Sequence, residues 1–518
     1  MSASFWGAHR SPVRDLNGPA RLGCAPAPGA REGTARKTRA ALCYALFLAL
    51  AATAAPTFIS GPAAAAYEAK LQEKADAMKR AVLESPSDYA AATGTHWYVS
   101  AAGDDARDGR SPESAIRSLA RLRQLALRPG DAVLFRRGDL FRGTVDAAEG
   151  VTYSAYGAGA KPTICASPRD FADAALWRAT DVPNVWSCTE RLPNAGILAF
   201  DHDPRDVGRY DVKTGRMVNY RGGPAAPRQL RQDLDFWCDA KAGVLYLYSA
   251  QGNPGARFRH IEIGSHGNAV SVGKNGVTVD NLHVTLTGSH GVGAGTVKDL
   301  TVRHCVFDWL GGALLIPEGR KGGPCRYGNA VEVYGGCDGY RVHDCWMYQI
   351  YDTGITHQCH HAKNDRIFQS NVEYARNLVE YCFWSIEYYN AFNGYGETRN
   401  VHVHHNFCRF GGDGWGCPGR AAGTPMFSID DRPDVTSNYV NEANVLQRSR
   451  GFLVNNFGRH ASPPDFVFRG NVYVQPRGWK FAHVGDRDPK VSPFDEKAAD
   501  VIRETFGETD GTFVFLER

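Results

Sequence analysis

The sequence predicts an all-β fold built as a solenoid, a stack of similar β-coils, and three observations support this fold class. Short β-segments that end in a Cys or Asn followed by apolar residues recur at 301–307, 341–347, 367–373, 401–407 and 466–473. The first four marked Cys/Asn positions lie about 26 to 40 residues apart, which fits one coil plus a variable loop. A count of 56 glycines with 43% hydrophobic residues indicates a turn-rich, globular chain.

The marked residues are expected to form an inward-facing ladder through the stack. They are Cys305, Cys345, Asn371, Asn406 and Asn471. At such positions a thiol acts as a small apolar filler, so Cys305 and Cys345 are not expected in disulfides. At most one or two disulfides are expected among the 13 cysteines, with loop-borne candidates at Cys165, Cys188, Cys238, Cys325 and Cys337. The absence of any Cys-x-x-Cys pair gives no support for a structural zinc site.

Residues 1–66 are predicted to be a leader and signal peptide. A basic segment precedes an apolar stretch at 40–55, and small residues at 61–66 follow it, which favours export with cleavage near Ala66. The alternative is an uncleaved membrane anchor, because residues 40–59 nearly reach the length that spans a bilayer. The expected location is therefore secreted or on the cell surface, with membrane anchoring as the second choice. Residues 67–94 are predicted to be a short helix and linker that ends at Ser85-Pro86.

Residues 95–165 are predicted to form an N-terminal cap and the first coils. A strand near 97–100, an Asp/Gly-rich turn, a helix over about 113–126 and a second strand in 129–138 would cover the open end of the stack. The strings WYVSAAGDDARDGRSPESAIRSLARL and RPGDAVLFRRGDLFRG resemble the start of right-handed parallel β-helix proteins of the pectate-lyase-like superfamily. This resemblance implies a right-handed, single-stranded parallel β-helix with helical caps, and polysaccharide as the substrate class.

The rest of the chain divides into three parts. Alternating aromatic strands with Asp, Gly and Pro between them predict a small antiparallel β insertion at 166–262, which would either pack on the solenoid or wall one side of a groove. Residues 263–482 are predicted to continue the β-helix and to carry the active face. Residues 483–518 are predicted to be a C-terminal cap with a helix near 492–506.

Three acids are the predicted catalytic residues. Seven positions beyond the ladder residues Cys345 and Asn406 lie Asp352 and Asp413, each in the turn before the next strand. Aligning the apolar strand positions of neighbouring coils places Glu387 beside Thr356 on the outer face, because successive strand residues alternate sides. Asp352, Glu387 and Asp413 are therefore expected on consecutive coils of one surface.

The spacing of neighbouring strands, about 4.8 Å, would place such carboxylates about 5 Å or about 9 to 10 Å apart. These separations match those that retaining and inverting glycosidases use. Like charges at this range raise the pKa of one member, as a general acid requires.

Side chains around these acids are predicted to bind substrate. The aromatic residues Tyr388, Tyr389 and Trp415 would stack on sugar rings. Polar residues predicted to line the same cleft are His357, Gln358, Asn390 and Arg450. The segment 357–361 also resembles a metal-ligand pattern, but its spacing alone does not predict a metal site.

The leading functional prediction is a polysaccharide-processing enzyme, a glycoside hydrolase without a cofactor, acting as a monomer on a polysaccharide or oligosaccharide. A polysaccharide lyase or uronate epimerase is the alternative, with His357 or Arg450 as the base and a cation such as Ca²⁺, or an Arg, neutralising the substrate carboxylate. A non-catalytic glycan-binding or adhesive β-helix is the third functional prediction.

The motif set of polygalacturonases is absent from the chain, so the resemblance extends only to fold and substrate class. The net charge of +4 is nearly balanced and does not indicate nucleic acid as a partner, so none is expected.

Overall fold

The structure is a computed structural model that describes residues 55–218, 226–315, 325–360, 366–391, 396–420, 423–430, 436–456, 465–485 and 490–517. Three long sheets of mainly parallel strands run along the chain. Along the β-helix, successive strands of the chain enter the three sheets in a repeating order. This arrangement is a parallel β-helix and confirms the predicted fold class.

Sheet A contains Leu140–Arg142, Thr163–Cys165, His283–Thr285, Val306–Leu310, Trp346–Ile350, Leu378–Glu380, Phe407–Gly411, Val445–Ser449, Val472–Pro476, Thr512–Leu516 and Thr57–Ile59. Sheet B contains His96–Val99, Ala132–Arg136, Thr152–Tyr156, Thr278–Asp280, Thr301–Arg303, Cys337–His343, Ile367–Ala375, Gly396–His404, Thr436–Glu442 and Phe466–Arg469, with Val297–Lys298 paired at one side. Sheet C contains Val145–Ala147, Val270–Val272, Val292–Ala294, Val331–Tyr334, Thr353–His360, Trp384–Ala391, Thr424–Asp430, Val454–Asn456, Lys480–Val484 and the antiparallel strand Lys490–Pro493.

An asparagine ladder marks the turn from sheet B to sheet A. The side-chain oxygen of Asn406 accepts the backbone N–H of Asn377 at 3.0 Å, and the same bond joins Asn406 to Asn444 and Asn444 to Asn471. These buried amides satisfy turn N–H groups that would otherwise be unpaired inside the stack. The predicted ladder is therefore correct in kind, but Asn371 does not belong to it. Asn371 is exposed and bonds along the outside of sheet B to Asp338 and Asn400.

The cysteines named in the sequence analysis are mostly buried inside the fold as well. Cys305 and Cys345 are fully buried and their thiols donate to backbone carbonyls, as expected of core filler. Four of the disulfide candidates, Cys165, Cys188, Cys238 and Cys337, are also buried thiols rather than disulfide partners.

The predicted antiparallel insertion is confirmed. Its strands are Trp177–Ala179, Val185–Cys188, Ala195–Phe200, Lys213–Thr214, Arg216–Met217, Asp235–Asp239, Val244–Tyr248 and Ile261–Ser265. Phe200, Phe236 and Leu247 help to form its own core. Ile197 and Ala199 pack with residues of sheet A, so the insertion covers the outer face of that sheet.

The N-terminal helix Pro62–Glu84 also packs on sheet A, with Ala64, Leu71, Ala75 and Val82 buried. The strand before it, Thr57–Ile59, pairs in parallel with Thr512–Val514 near the C-terminus. The cleavage position expected near Ala66 lies inside this helix. Cleavage there would remove the edge strand and the first helical turn. Among the described residues, no helix is long and apolar enough to cross a bilayer, and residues 1–54 lie outside them.

The remaining elements are short. Helices Leu119–Leu122 and Pro254–Arg257 and the 3₁₀ turns Ala174–Leu176 and Pro227–Gln229 lie in connections, and Ala313–Leu314 pairs with Arg326–Tyr327. The predicted helix over 113–126 is thus only four residues long, because residues 103–118 form turns. The C-terminal cap contains the helix Ala498–Phe506.

Candidate functional site

The outer face of sheet C brings acidic side chains into register. Glu332 pairs with Thr356, and Thr356 pairs with Glu387, so the three residues form one column across adjacent strands. Two positions further along the same strands, Tyr334, Gln358 and Tyr389 form a second column. Because strand residues alternate sides, both columns point away from the core of the stack.

Glu387 is a buried carboxyl group held by neutral donors. It is 5% exposed, and its Oε2 accepts hydrogen bonds from Thr353 Oγ1 at 3.0 Å and from Gln358 Nε2 at 2.7 Å. Burial raises its pKa well above the usual range, and the charge of Asp352 raises it further. Both effects favour the protonated form of the side chain.

Glu332 is a second buried carboxyl, 6% exposed. Asn329 Nδ2 donates to its Oε2, which also lies 3.1 Å from His290 Nδ1. Burial raises the pKa of Glu332 to about 8, and the charge of Asp352 adds to the shift. Burial lowers the pKa of His290 to about 3, so this pair is expected to consist of a neutral imidazole and a protonated carboxyl.

Asp352 lies in the turn before strand Thr353–His360 and is held by an arginine. Arg420 Nη2 donates to its Oδ1 at 2.6 Å, and the guanidinium packs over the Phe383 ring at 3.6 Å. The carboxylate of Asp352 thus has a cation beside it, whereas Glu332 and Glu387 are bonded by neutral donors. One face therefore carries one carboxylate paired with a cation and two carboxyl groups with raised pKa values.

The register also sets the separation of these acids. Glu332 and Glu387 stand two strands apart, about 9 to 10 Å at the Cα level by strand spacing. Side chains at this separation fall close to the range in which a water molecule fits between two carboxyls. The raised pKa of Glu387 suits proton donation to a leaving group, and Asp352, which Arg420 holds, suits activation of a nucleophile.

Two predicted substrate-binding residues lie inside the stack instead of in a cleft. His357 and Tyr388 occupy the inward position between the two outer columns, and both are 0% exposed. The His357 Nδ1 lies 2.7 Å from the Tyr374 hydroxyl, and burial lowers the pKa of His357 to about 3. Strand alternation explains the correction, since neighbours of the outward Glu387 and Gln358 must face the core.

Asp413 does not take the position that counting from the ladder predicts. Strand Phe407–Gly411 is followed by a turn of twelve residues before Thr424–Asp430, whereas two residues separate Ile350 from Thr353. Since Thr353, Trp384 and Thr424 pair in register, the position that corresponds to Asp352 is Gly423. Asp413 is exposed in the longer turn, where burial of part of its side chain raises its pKa and the charge of Arg450 opposes that rise.

The other predicted residues are placed as follows. Gln358 and Tyr389 lie in the outer column beside the acids, as predicted. The indole of Trp415 donates to the backbone oxygen of Gln349 at 2.9 Å and packs on Tyr351, so it supports the turn. Arg450 is exposed beside Asp413. The side chain of Asn390 lies outside the described residues.

Sequence reasoning missed Glu332, His290 and Arg420. Glu332 lies in the alternating segment Val331-Glu332-Val333-Tyr334, and applying the strand alignment one coil earlier would have found it. No local signal marks Arg420, because it reaches Asp352 from a different coil. Within the described ranges, no group of three or more His, Cys, Asp or Glu side chains is arranged to hold a metal ion.

No protein-family model matches the chain. No curated protein matches it either. Among solved structures, it is similar to a GH136 lacto-N-biosidase from Eubacterium ramulus, at 14% identity, a TM-score of 0.35 and coverage of 82% of this chain and 67% of the other. It is also similar to XylC in complex with xylose, at 12% identity, a TM-score of 0.39 and coverage of 75% of this chain and 71% of the other. For the pectate lyase Pel9A the identity is 10%, the TM-score is 0.41 and the coverage is 76% of each chain. At these identities the likeness concerns the fold alone.

Proposed function

We propose that the protein is a polysaccharide-processing enzyme, a glycoside hydrolase that works on the outer face of sheet C. The observation that carries this proposal is the convergence of Glu332, Asp352 and Glu387, two of them with raised pKa values. An isolated carboxyl group is costly to bury, and three on one face with a single arginine is an arrangement that stability alone does not favour. Strongly shifted acids on one face are typical of active sites.

The roles follow from the charges. Glu387, whose raised pKa favours the protonated form, is the proposed general acid, which protonates the glycosidic oxygen. Asp352, held by Arg420, is the proposed base that takes a proton from the attacking water. Tyr389 and Tyr334 flank Gln358 and supply aromatic edges for sugar rings.

The proposal also covers where the enzyme acts, which part of the chain it keeps and whether it needs a cofactor. The basic segment and apolar stretch at 1–55 support export, so the enzyme would act outside the cytoplasm, either released or attached to the cell surface. Because the strand Thr57–Ile59 belongs to sheet A, the working protein would retain it. The proposed chemistry needs no cofactor, since carboxyl groups supply both proton transfers.

The test is to incubate the protein with a panel of neutral and acidic polysaccharides and to measure new reducing ends and absorbance of unsaturated products. We expect reducing ends without ultraviolet-absorbing product. Glu387→Gln and Asp352→Asn should each lower turnover by about 10²- to 10⁴-fold, as loss of a general acid or base does. An unsaturated product would instead assign the enzyme to the lyases.

The matched control is Glu373→Gln on the outer face of sheet B, whose side chain is 40% exposed. This control makes the same Glu-to-Gln substitution on a different face and should leave turnover within a factor of two. Full activity in both Glu387→Gln and Asp352→Asn would rule out the proposed site. Binding of a glycan without any turnover by the parent protein would support a non-catalytic glycan-binding role.

A further inference from the structure

A second polar region lies away from sheet C, where the end of helix Pro62–Glu84 meets residues 155–161 and the insertion loop 205–209. Two adjoining cavities open there, one of about 600 Å³ and one of about 520 Å³. Leu83, 38% exposed, belongs to the walls of both. The larger cavity is lined by Lys161, Arg205 and Arg209, and the smaller by Arg137.

Lys161 and Arg137 are bound to neutral groups only. The Lys161 Nζ, in a side chain that is 5% exposed, donates to Ser85 Oγ at 3.0 Å and to Asn281 Oδ1 at 2.5 Å. Arg137 Nη2 donates to the same Asn281 oxygen at 2.7 Å and to Ser87 Oγ at 3.0 Å. Across the described part of the chain, neither cation forms an ion pair with a carboxylate.

Asp280, whose charge acts on both Lys161 and Arg137, is bonded to other groups. Asp280 Oδ2 accepts from Ser154 Oγ at 2.7 Å and from a backbone N–H, and its Oδ1 lies 3.2 Å from Arg303 Nε. Two cations therefore share one amide oxygen, although a buried cation is usually paired with an anion. Burial lowers the pKa of Lys161 to about 8, which is a measure of this missing partner. The positive charge is concentrated at the wall of open cavities of ligand size.

We propose that this region is a second binding site, for an acidic sugar, separate from the sheet C face. The carboxylate of a uronate would take the place of the missing anion beside Lys161. Arg205 and Arg209 at the same cavity already pair with Asp203 and Asp211, so they shape the rim without supplying the main uncompensated charge. The exposed side chain of Leu83 offers an apolar surface for the face of a sugar ring. The proposal does not depend on hydrolysis at Glu387.

The test is a calorimetric titration of the full protein with galacturonate, with galactose as the neutral counterpart and sulfate as a simple anion. We expect galacturonate to bind at least tenfold more tightly than either. Lys161→Met should weaken galacturonate binding at least tenfold, while Lys161→Arg, which keeps the charge, should stay within about threefold. Lys274→Met removes an exposed lysine elsewhere and should change nothing.

The Glu387→Gln variant separates this site from the proposed active site, because it should bind galacturonate as the parent does. Unchanged binding in Lys161→Met would overturn the proposal. So would galactose or sulfate binding as tightly as galacturonate, since the site would then not select an acidic sugar. Circular dichroism of both Lys161 variants establishes that they are folded, and the comparison of galacturonate with galactose and sulfate in the parent tests the selectivity of the site independently of either variant.

Discussion

The outer faces of sheets A and C both bury acidic side chains, but the acid on sheet A is paired with cations whereas the two glutamates on sheet C are bonded by neutral groups. On sheet A, Glu380 is fully buried, with Arg409 Nε 2.9 Å from one oxygen and Lys79 Nζ 3.4 Å from the other. The Tyr210 hydroxyl and the Trp346 indole donate to the same carboxylate at 2.6 and 3.0 Å. On sheet C, Glu332 and Glu387 have only neutral donors, and the charge of Asp352 acts on both.

The covering layers account for this difference. Helix Pro62–Glu84 and the insertion lie over sheet A, and the helix itself supplies Lys79 and Gln72 to the buried polar groups. An acid beneath a packed layer must be neutralised, because an unpaired buried charge is strongly destabilising. Glu380 is therefore best explained by docking of the helix. The sheet C acids carry no such compensation, which is typical of residues kept for chemistry.

The largest expected effect is on sheet A. Glu380→Gln removes the charge that faces Arg409 and Lys79, and we expect a loss of about 3 to 5 kcal/mol in the free energy of unfolding. Urea denaturation followed by circular dichroism measures it. The exposed Glu373→Gln should cost less than about 1 kcal/mol. If Glu380→Gln is as stable as Glu373→Gln, the two faces do not differ as described.

The next effect is the pH dependence of stability on sheet C. The folded protein raises the pKa of Glu332 from 4.5 to about 8, so it binds this proton more tightly than the unfolded chain. Stability from this group is complete below about pH 4.5 and is lost as the pH rises through about 8. Between pH 5 and 8.5, Glu332→Gln should lose less unfolding free energy than the parent, by on the order of 4 kcal/mol.

The parent protein is the reference in that comparison, because Glu387 and Glu508 also have raised pKa values and contribute a slope of the same sign to both proteins. Urea midpoints at four or five pH values are sufficient. Parallel curves for the parent and Glu332→Gln would show that Glu332 is ionised in the folded state and would remove it from the pair of protonated acids.

The smallest expected effect concerns turnover. Glu332 lies beside the proposed acid and base without a proposed proton transfer of its own, so Glu332→Gln should lower turnover only about tenfold, or about 1.4 kcal/mol in barrier. Initial rates on the best substrate of the panel measure it. A loss of a thousandfold would instead identify Glu332 as the proton donor and leave Glu387 as its neighbour.

Much of the fold could be predicted from the sequence because its signals are local. The alternation in segments such as Arg341-Val342-His343 and the Cys or Asn after them depend on neighbouring residues only. The amide ladder then repeats one hydrogen bond from coil to coil. Asn371 was misassigned because an exposed asparagine row on sheet B has the same composition as the buried one.

The candidate site was predictable only in part. Glu387 and Gln358 were placed correctly because alignment of Ile355 with Ile386 sets the register of one strand pair. His357 and Tyr388 were misplaced because they lie between outward residues and must face inward. The position predicted for Asp413 was wrong for a different reason, because counting along the chain assumes that the turns of neighbouring coils have equal length.

The sequence by itself determined the coil repeat, the insertion and the strand that carries Glu387, since each rests on patterns within a few residues. Only the tertiary structure decided which charges meet. The pairing of Arg420 with Asp352, the position of Glu332 two strands from Glu387 and the docking of Lys79 on Glu380 all join distant segments. Turn lengths and covering layers set those distances, and burial at those distances decides whether a carboxyl group is neutralised by a partner or keeps its proton.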